Sequence, residues 1–200
     1  NRGWPVTTAS LSTPPMRLPS SLKSFGSFTR TLRASGTGST QHLAAKLFEA
    51  RAGIDALVVP YKGSPAVLTA LRAGEIDIAV EILGPMLPQV QAGVVRALAV
   101  TAAQRHPLLP DVPTTAQAGV PGAEVASWNA LAAPAGTPAA VVDVLNRAVR
   151  DAVASAAMQQ RLAPLGVRLQ AGTPADLQAL LGSEIQRWGA LIRSAKITAD

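Results

Sequence analysis

The stretch Ala34-Ser-Gly-Thr-Gly-Ser-Thr-Gln-His42 sets the pattern of the chain, because it places a turn rich in glycine and hydroxyl groups directly before a helix. Glycine lets the backbone approach a ligand closely, and the free N–H groups at a helix N-terminus favour an anion. The stretch lacks the lysine of a P-loop, and Gln41 stands where a dinucleotide fingerprint needs its third glycine. Two interpretations stay open: an anion-binding turn, or a tight loop in which Ser39 only caps the helix.

Helices and short strands alternate downstream of this turn. Apolar residues at helical spacing predict three helices, each followed by a glycine that ends it. Short apolar runs predict three strands between and after them. The predicted helices are 41–52, 65–73 and 85–92, and the predicted strands are 57–59, 76–80 and 96–101. This alternation is typical of βαβ units and of a parallel sheet with covered faces.

A second turn of the same kind, Val59-Pro-Tyr-Lys-Gly-Ser-Pro65, follows the next strand. Here we predict Ser64 as the helix cap and Pro65 as the first helical residue. Because the carboxyl ends of parallel strands open on one edge of the sheet, both turns are expected to face one crevice. The following strand ends at Glu81 on the same edge. That carboxylate could hold a ligand amine, order a water molecule or simply be solvated.

A different pattern begins after Trp128. Thr137-Pro138 and Thr173-Pro174 each combine a helix cap with a proline in the first turn, and amphipathic stretches follow both. A strand is predicted over 167–170. The sequence therefore predicts an α/β protein with two lobes that meet near residues 125–135.

The composition excludes several classes of protein. The 200 residues are 48% apolar and 15% charged, which excludes a disordered chain. The absence of cysteine excludes disulfide frameworks, Cys-based metal sites and cysteine nucleophiles, and two histidines make a histidine-rich metal site unexpected. The net charge of +6 lies entirely within residues 1–48, without a Lys/Arg cluster, so we expect no nucleic-acid partner.

Catalysis is also poorly supported by the sequence. There is no G-x-S-x-G elbow, and Ser39 and His42, although close at the start of one helix, have no evident third group. Glu81 has no evident carboxylate partner for acid–base work. We therefore expect that the chain is not an enzyme.

The N-terminal segment is unlike the rest of the chain. Residues 1–33 hold eleven Ser or Thr and four Pro, with no apolar segment typical of a secretory signal. Residues 1–17 are expected to form a poorly ordered extension.

Further motifs follow the two turns in order and make the chain recognisable. They are Arg96-Ala-Leu-Ala-Val-Thr101, Pro107-Leu-Leu-Pro-Asp-Val-Pro-Thr114, Ala116–Gly119, Trp128, Ala133-Pro-Ala-Gly-Thr-Pro138, Arg187-Trp188 and Lys196–Asp200. Together with 34–42 and 59–64, they resemble the solute-binding proteins of tripartite tricarboxylate transporters, the Bug family. The resemblance covers about residues 34–200.

The resemblance implies a type II periplasmic-binding fold, in which two α/β lobes with mostly parallel sheets close on a small carboxylate. It also implies a periplasmic protein that binds without a cofactor or metal, is a monomer when complete and hands its solute to membrane permease subunits. No segment before residue 34 matches the strand and loop that open the family's first lobe. The expected domains are therefore a ligand-binding lobe over 18–127 and the C-terminal part of an incomplete first lobe over 128–200.

The family's ligand loops map onto both turns and onto the end of the following strand. The expected ligand-binding residues are Ser35, Thr37, Gly38, Ser39, Thr40, His42, Tyr61, Lys62, Gly63, Ser64 and Glu81. At the last position the family usually has Asp, one methylene shorter. Because half of the site is expected to be missing, the 200-residue chain is expected to bind weakly or not at all.

Two alternatives stay open beside this reading. The effector-sensing domains of LysR-like transcription regulators share the two-lobed fold, although residues 1–33 hold no helix-turn-helix. An inactive truncated gene product is the other. In an incomplete first lobe, we expect Leu145, Val149, Leu181 and Trp188 to be at least partly exposed.

Overall fold

The computed structural model describes residues 4–10, 30–36 and 38–198. Over these ranges the chain forms a six-stranded sheet with helices packed against it. The strands are β1 (Trp4–Ser10), β2 (Arg30–Ser35), β3 (Ala56–Tyr61), β4 (Ile78–Ile82), β5 (Arg96–Val100) and β6 (Ala126–Ser127). The helices are α1 (Thr40–Ala52), α2 (Ser64–Ala73), α3 (Leu83–Gln91), α4 (Ala139–Ala154), α5 (Ala156–Leu162) and α6 (Pro174–Ser194), with a 3₁₀ turn at Ala163–Leu165. The predicted βα alternation is confirmed, with element ends shifted by at most three residues.

The sheet has the strand order β3-β2-β4-β1-β5, and β6 pairs with β1 as well. β2 runs parallel to β3 and to β4. β1 runs antiparallel to both of its main neighbours, β4 and β5. The strands predicted from the βαβ spacing, β3, β4 and β5, therefore all point in one direction.

β1 corrects the expectation for the N-terminal segment. Residues 4–10 form a strand between β4 and β5, with Thr7 opposite Glu81 on β4 and Val100 on β5. Without it, the facing edges of β4 and β5 would leave their backbone N–H and C=O groups unpaired. The run Val6-Thr-Thr8 also has the β-branched side chains that strands favour. The rest of the expected extension, residues 1–3 and 11–17, lies outside the described residues.

Among the residues whose burial the structure describes, the buried apolar side chains lie between Leu43 and Val125. One cluster joins α1 to the sheet through residues such as Ala45, Leu47 and Val80. Another joins α2 to the sheet and includes Val67 and Leu71, neither of which has measurable exposure. Both helices therefore bury one face against the sheet, and this packing fixes where their N-termini lie.

The C-terminal helices are packed differently. None of the residues of α4, α5 or α6 is buried. Leu145 is 52% exposed and Leu181 is 40% exposed, while Val149 and Trp188 are half-buried. The expectation of partial exposure is therefore confirmed for all four. α6 rests on the sheet cluster through Trp188 and Leu191.

The strand predicted over 167–170 is wrong. Those residues belong to neither a strand nor a helix. A strand needs a neighbour for its backbone hydrogen bonds, and none of the strands in the described residues pairs with this segment. Within the described ranges, no helix has both the length and the hydrophobicity needed to cross a membrane.

Candidate functional site

The carboxyl ends of three neighbouring strands meet at one edge of the sheet. β2, β4 and β3 are parallel, and each is followed almost at once by the N-terminus of α1, α3 or α2, respectively. Helix N-termini carry unpaired N–H groups and the positive end of the helix dipole. This edge therefore has three features that attract negative charge.

The two turns singled out by the sequence are in direct contact. Ser35 lies opposite Tyr61 in the register of β2 and β3. The Gly36 N–H donates to the Tyr61 carbonyl oxygen at 2.8 Å, just beyond the end of the strand pairing. Both turns therefore lie at one edge of the sheet, as expected, and the crevice between them stays a prediction.

The first turn is closed by a helix cap and by two glycines. Ser39 is the N-cap of α1, and its Oγ accepts a hydrogen bond from the His42 N–H at 3.1 Å. Gly36 and Gly38 have φ of 51° and 74°, a conformation that other residues adopt at a cost. The interpretation of Ser39 as a cap is therefore confirmed. Thr37 lies outside the described residues.

His42 closes the same turn with its side chain. Its ring Nδ1 accepts a hydrogen bond from the Gly38 N–H at 3.0 Å, so in the neutral ring the proton lies on Nε2. Partial burial, and secondly the charge of Lys46, lower the pKa of His42 below its usual value. Both effects favour the neutral ring that this hydrogen bond requires.

Several backbone amides of the first turn already donate to acceptors within the protein. The amides of Gly36, Gly38 and Ser39 already donate to Tyr61 O, His42 Nδ1 and Gly36 O, respectively. The amides of Thr40 and Gln41, in the first turn of α1, have no hydrogen-bond partner among the described residues. The donors available at this turn are therefore fewer than the sequence suggested, and they lie at its helical end.

The second turn differs from its prediction in the position of the cap. Gly63, with φ of 83°, is the N-cap of α2, and Ser64 is the first helical residue. The Ser64 hydroxyl does not cap the helix but donates to Glu81 Oε2 at 2.6 Å. This hydrogen bond to the carboxyl group on β4 directs the hydroxyl towards the sheet.

Glu81 is fully buried, with 0% of its surface exposed. It lies on β4, the strand between β2 and β1. A solvated carboxylate, one of the three roles considered from the sequence, is therefore excluded. Glu81 contacts the second turn from the sheet side through its hydrogen bond with Ser64. In the turn itself, Lys62 is exposed and Tyr61 is half-buried.

The 3₁₀ turn covers the third helix N-terminus, a contact that the sequence did not reveal. A Cβ on Gly84, in the first turn of α3, would lie 3.2 Å from the Leu165 carbonyl oxygen. Gly166, with φ of 71°, packs against Leu83 and the ring of His106. Two glycines 82 residues apart in the chain allow this approach, and each alone looks like an ordinary breaker in the sequence.

The arrangement can bind an anion at the start of α1. It combines the positive end of the α1 dipole with two amides that have no hydrogen-bond partner among the described residues. In the parts of the chain that the structure describes, no three His, Asp or Glu side chains come together as metal ligands would.

Comparison with known proteins identifies the family. The family model of the tripartite tricarboxylate transporter family receptor matches residues 29–197. A UPF0065 protein from the tcbD-tcbE intergenic region of Pseudomonas sp. strain P51 is 40% identical over 168 residues, which are 84% of this chain and 50% of that protein. The chain spans about half the length of most of the curated relatives it matches.

Several solved structures have a fold similar to that of this chain. Rpa4515 of R. palustris, solved with adipate, has a TM-score of 0.81 and 34% identity over 98% of this chain and 67% of its own. MatC (Rpa3494) from Rhodopseudomonas palustris, with bound malate, has a TM-score of 0.78 and 31% identity over 96% of this chain and 67% of its own. The periplasmic binding protein BugD has a TM-score of 0.79 and 29% identity, with coverage of 98% and 67%. The sheet edge with its two linked turns is thus set in a known type II periplasmic-binding fold, and the chain belongs to the tripartite tricarboxylate transporter receptor family.

Proposed function

We propose that this chain is part or all of a periplasmic solute-binding protein that captures a small carboxylate for a tripartite tricarboxylate-type transporter. The captured solute would pass to the membrane permease subunits of that transporter. The activity is a proposal because the chain spans only about half of most curated relatives and 67% of the solved chains. The family match favours this role over the sensing domain of a transcription regulator.

The observation that carries the proposal is that the amides of Thr40 and Gln41 have no hydrogen-bond partner in the part of the chain that the structure describes. They lie at the same sheet edge as the turn 61–64, to which their own turn is tied by the Gly36–Tyr61 hydrogen bond. Backbone donors at a helix N-terminus are a common way to bind a carboxylate. Two solved relatives with the same fold carry adipate and malate, which are both dicarboxylates.

The proposal assigns a place to each expected site residue. The first turn would supply donors to the carboxylate, and the second turn would line the adjacent part of the crevice, with Glu81 behind it. In this proposal, residues 18–127 form the ligand-binding lobe and residues 128–200 form the C-terminal part of the other lobe. Binding would need no cofactor or metal, and we expect no catalysis and no nucleic-acid partner.

A thermal-shift screen tests the proposal. Two hydrogen bonds to a charged group contribute about 4 kcal/mol in total, which corresponds to a Kd of about 1 mM. At a solute concentration of about 20 mM, such binding stabilises the fold by about 1.8 kcal/mol and raises Tm by several degrees. The panel contains di- and tricarboxylates, aromatic acids and amino acids, with sodium chloride at matched ionic strength as control. A panel in which no acid exceeds the chloride control would contradict solute binding by the 200-residue chain itself.

A further inference from the structure

We propose that His106 is a pH-sensitive switch: its neutral ring holds residues 163–166 against the start of α3, and protonation of the ring releases them. The switch links the C-terminal part of the chain to the sheet edge, and it is independent of the proposed function. Its test needs no solute, so its failure would leave the carboxylate proposal standing.

Three segments of the chain meet at the start of α3. Leu83, the first residue of α3, is buried in one cluster with Leu109 of the loop that follows β5. Gly166 is also buried, and a Cβ on it would lie 3.3 Å from Leu83 Cδ2 and 3.7 Å from His106 Cε1. The His106 ring therefore lies where the β5 loop and residues 163–166 come together.

Both ring nitrogens of His106 have a partner when the ring is neutral. Nδ1 accepts a hydrogen bond from the Leu108 N–H at 3.2 Å, so the proton of the neutral ring lies on Nε2. The ring also hydrogen-bonds the backbone of Gly166, and Nε2–H is the donor that remains for this bond. A second proton would go onto Nδ1, where it would face the Leu108 N–H, another donor. Protonation therefore breaks the bond that holds the ring in its orientation.

The surroundings of the ring also oppose a positive charge. Burial has the largest influence on the pKa of His106 and lowers it. The Gly166 hydrogen bond raises this pKa by less, and the charge of Arg168 lowers it further. The contact is therefore complete above the ordinary histidine pKa of about 6.5 and is lost as the pH falls through the lower folded value.

The charged groups of the neighbouring elements do not offset this effect. α3 contains no ionisable residue. In the loop of His106 itself, Asp111 is exposed, and the Arg105 guanidinium donates to a backbone carbonyl of the same loop at 2.9 Å. Residues 163–168 contain one ionisable group, that of Arg168, which is positive like the protonated ring.

Of the two segments that touch the ring, residues 163–166 are the less firmly held. The β5 loop is anchored by Leu109, which is 8% exposed and whose N–H donates to His106 O at 2.9 Å. Leu165, in contrast, has 54% of its surface exposed. We therefore expect the charged ring to displace residues 163–166 from α3, while the β5 loop stays in place.

Nuclear Overhauser effects in the isotope-labelled 200-residue chain test the switch. One Hα of Gly166 points towards the Leu83 methyl groups, and the His106 ring is followed through its Cε1–H resonance. We expect the Gly166–Leu83 signal to be strong at about pH 7.5 and to lose about half of its intensity or more by about pH 5. The loss should share its midpoint with the titration of His106, below about pH 6.5.

Three variants assign the change to the His106 ring. His106→Gln does not titrate, so the Gly166–Leu83 signal should become independent of pH. His42→Asn removes the other histidine of the chain, and the signal should still fall with pH. Arg168→Gln removes an exposed positive charge that lowers the pKa of His106, so the His106 titration and the loss of signal should both move to higher pH.

Two glycine variants test the contact from its other side. In Gly166→Ala, with φ of 71°, the added Cβ meets Leu83 and should open the contact at every pH, so His106 should titrate closer to about 6.5. Gly136→Ala is the matched control, because Gly136 has φ of 83° but no atom of the described residues, apart from chain neighbours, within 4 Å of its Cβ position. That variant should leave the His106 titration unchanged.

Each contrary result overturns the inference. A Gly166–Leu83 signal that stays constant between about pH 7.5 and about pH 5 does so, as does a loss that persists in His106→Gln. A loss that disappears in His42→Asn assigns the change to the other histidine. If His106→Gln does not fold, Arg168→Gln decides, because a midpoint that does not follow the His106 titration excludes the ring as the switch.

Discussion

Gly38 and Gly53 lie at opposite ends of α1 and form a matched pair. They have φ of 74° and 64°, and apart from chain neighbours no atom of the described residues lies within 4 Å of the place where a Cβ would stand on either. Substitution by alanine should therefore cost each about 1 kcal/mol of stability through backbone strain alone. Only Gly38→Ala should also weaken carboxylate binding, because it strains the turn that places the Thr40 and Gln41 amides. Urea unfolding and solute titration measure the two effects, and an equal loss of affinity in Gly53→Ala would show that the turn has no special role.

His42 gives the stability a pH dependence of known sign. Burial, and then Lys46, lower its pKa in the folded state, so the folded chain binds fewer protons than the unfolded chain as the pH falls. The stability that His42 contributes is thus complete above the unfolded value, near pH 6.5, and is lost as the pH falls through the lower folded pKa. In His42→Asn, the Oδ1 can still accept the Gly38 N–H but does not titrate. The variant should lose less stability than the unmodified chain between about pH 7 and pH 5.

Melting temperatures across this range measure the effect. The pKa of His106 is also lowered, mainly by burial, so part of the pH dependence should persist in His42→Asn. An unchanged pH profile would mean that the His42 ring does not hold the turn.

The sequence could predict the role of a side chain when its hydrogen-bond partner is close in the chain, but not when the partner is distant. The Ser39 cap was open to prediction because its donor, His42 N–H, is three residues away on the same helix. The partner of Ser64 is 17 residues away on another strand, and a carboxylate there changed a predicted cap into a hydrogen bond to the sheet. The sequence around Ser64 therefore does not indicate that its hydroxyl bonds to Glu81 and not to the helix N-terminus.

At the scale of elements, α6 is attached to the sheet by a small number of side chains. Trp188 packs against the cluster around Ala44 and Val80, and its Nε1 donates to Glu184 Oε2 at 2.7 Å. Arg187 lies 4.8 Å from the centre of the Trp188 ring and donates to the Glu124 carbonyl oxygen. These contacts link α6 to the segment just before β6.

Trp188→Ala should therefore release α6. Since the side chain is half-buried, we expect a loss of about 2 kcal/mol in the free energy of unfolding, below the range for fully buried tryptophans. Ile185→Ala, on the same helix but with 64% of its surface exposed, should change it by less than about 0.5 kcal/mol. Urea denaturation of both variants measures the difference, and similar losses would mean that α6 is not held through Trp188.

Elements with local signals were predictable, and elements that depend on distant partners were not. Apolar periodicity and glycine stops gave α1, α2 and α3 to within two residues, and Thr173 caps α6 as predicted. The predicted Thr137 cap of α4 is wrong, because Pro138 is the N-cap and the helix begins at Ala139. β1 was missed because its place follows from the gap between β4 and β5, which residues 4–10 do not encode. The strand at 167–170 failed for the converse reason, since a strand-like run forms no strand without a neighbour.

For the whole molecule, the exposed apolar side chains of α4 and α6 predict self-association. Val144, Leu145 and Ile185 are each more than half exposed, and neither helix buries a residue. Such apolar surface tends to be covered by protein. We expect the 200-residue chain to show a concentration-dependent mass in sedimentation at micromolar concentrations.

The double variant Leu145→Ser/Ile185→Ser should shift this equilibrium towards the monomer. Leu131→Ser is the control, because Leu131 is 77% exposed but lies outside both helices. A chain that stays monomeric up to about 100 μM would contradict the prediction, since apolar patches of functional size usually associate.

The central claim is that a carboxylate binds at the sheet edge where α1 and α2 begin. The most direct test is an amide NMR titration of the ¹⁵N-labelled chain with malate, with sodium chloride at equal ionic strength as the reference. The claim predicts saturable shifts that are largest at Thr40 and Gln41 and extend to residues 61–64. Shifts confined to α4 and α6, or no shifts beyond those that chloride causes, would contradict it.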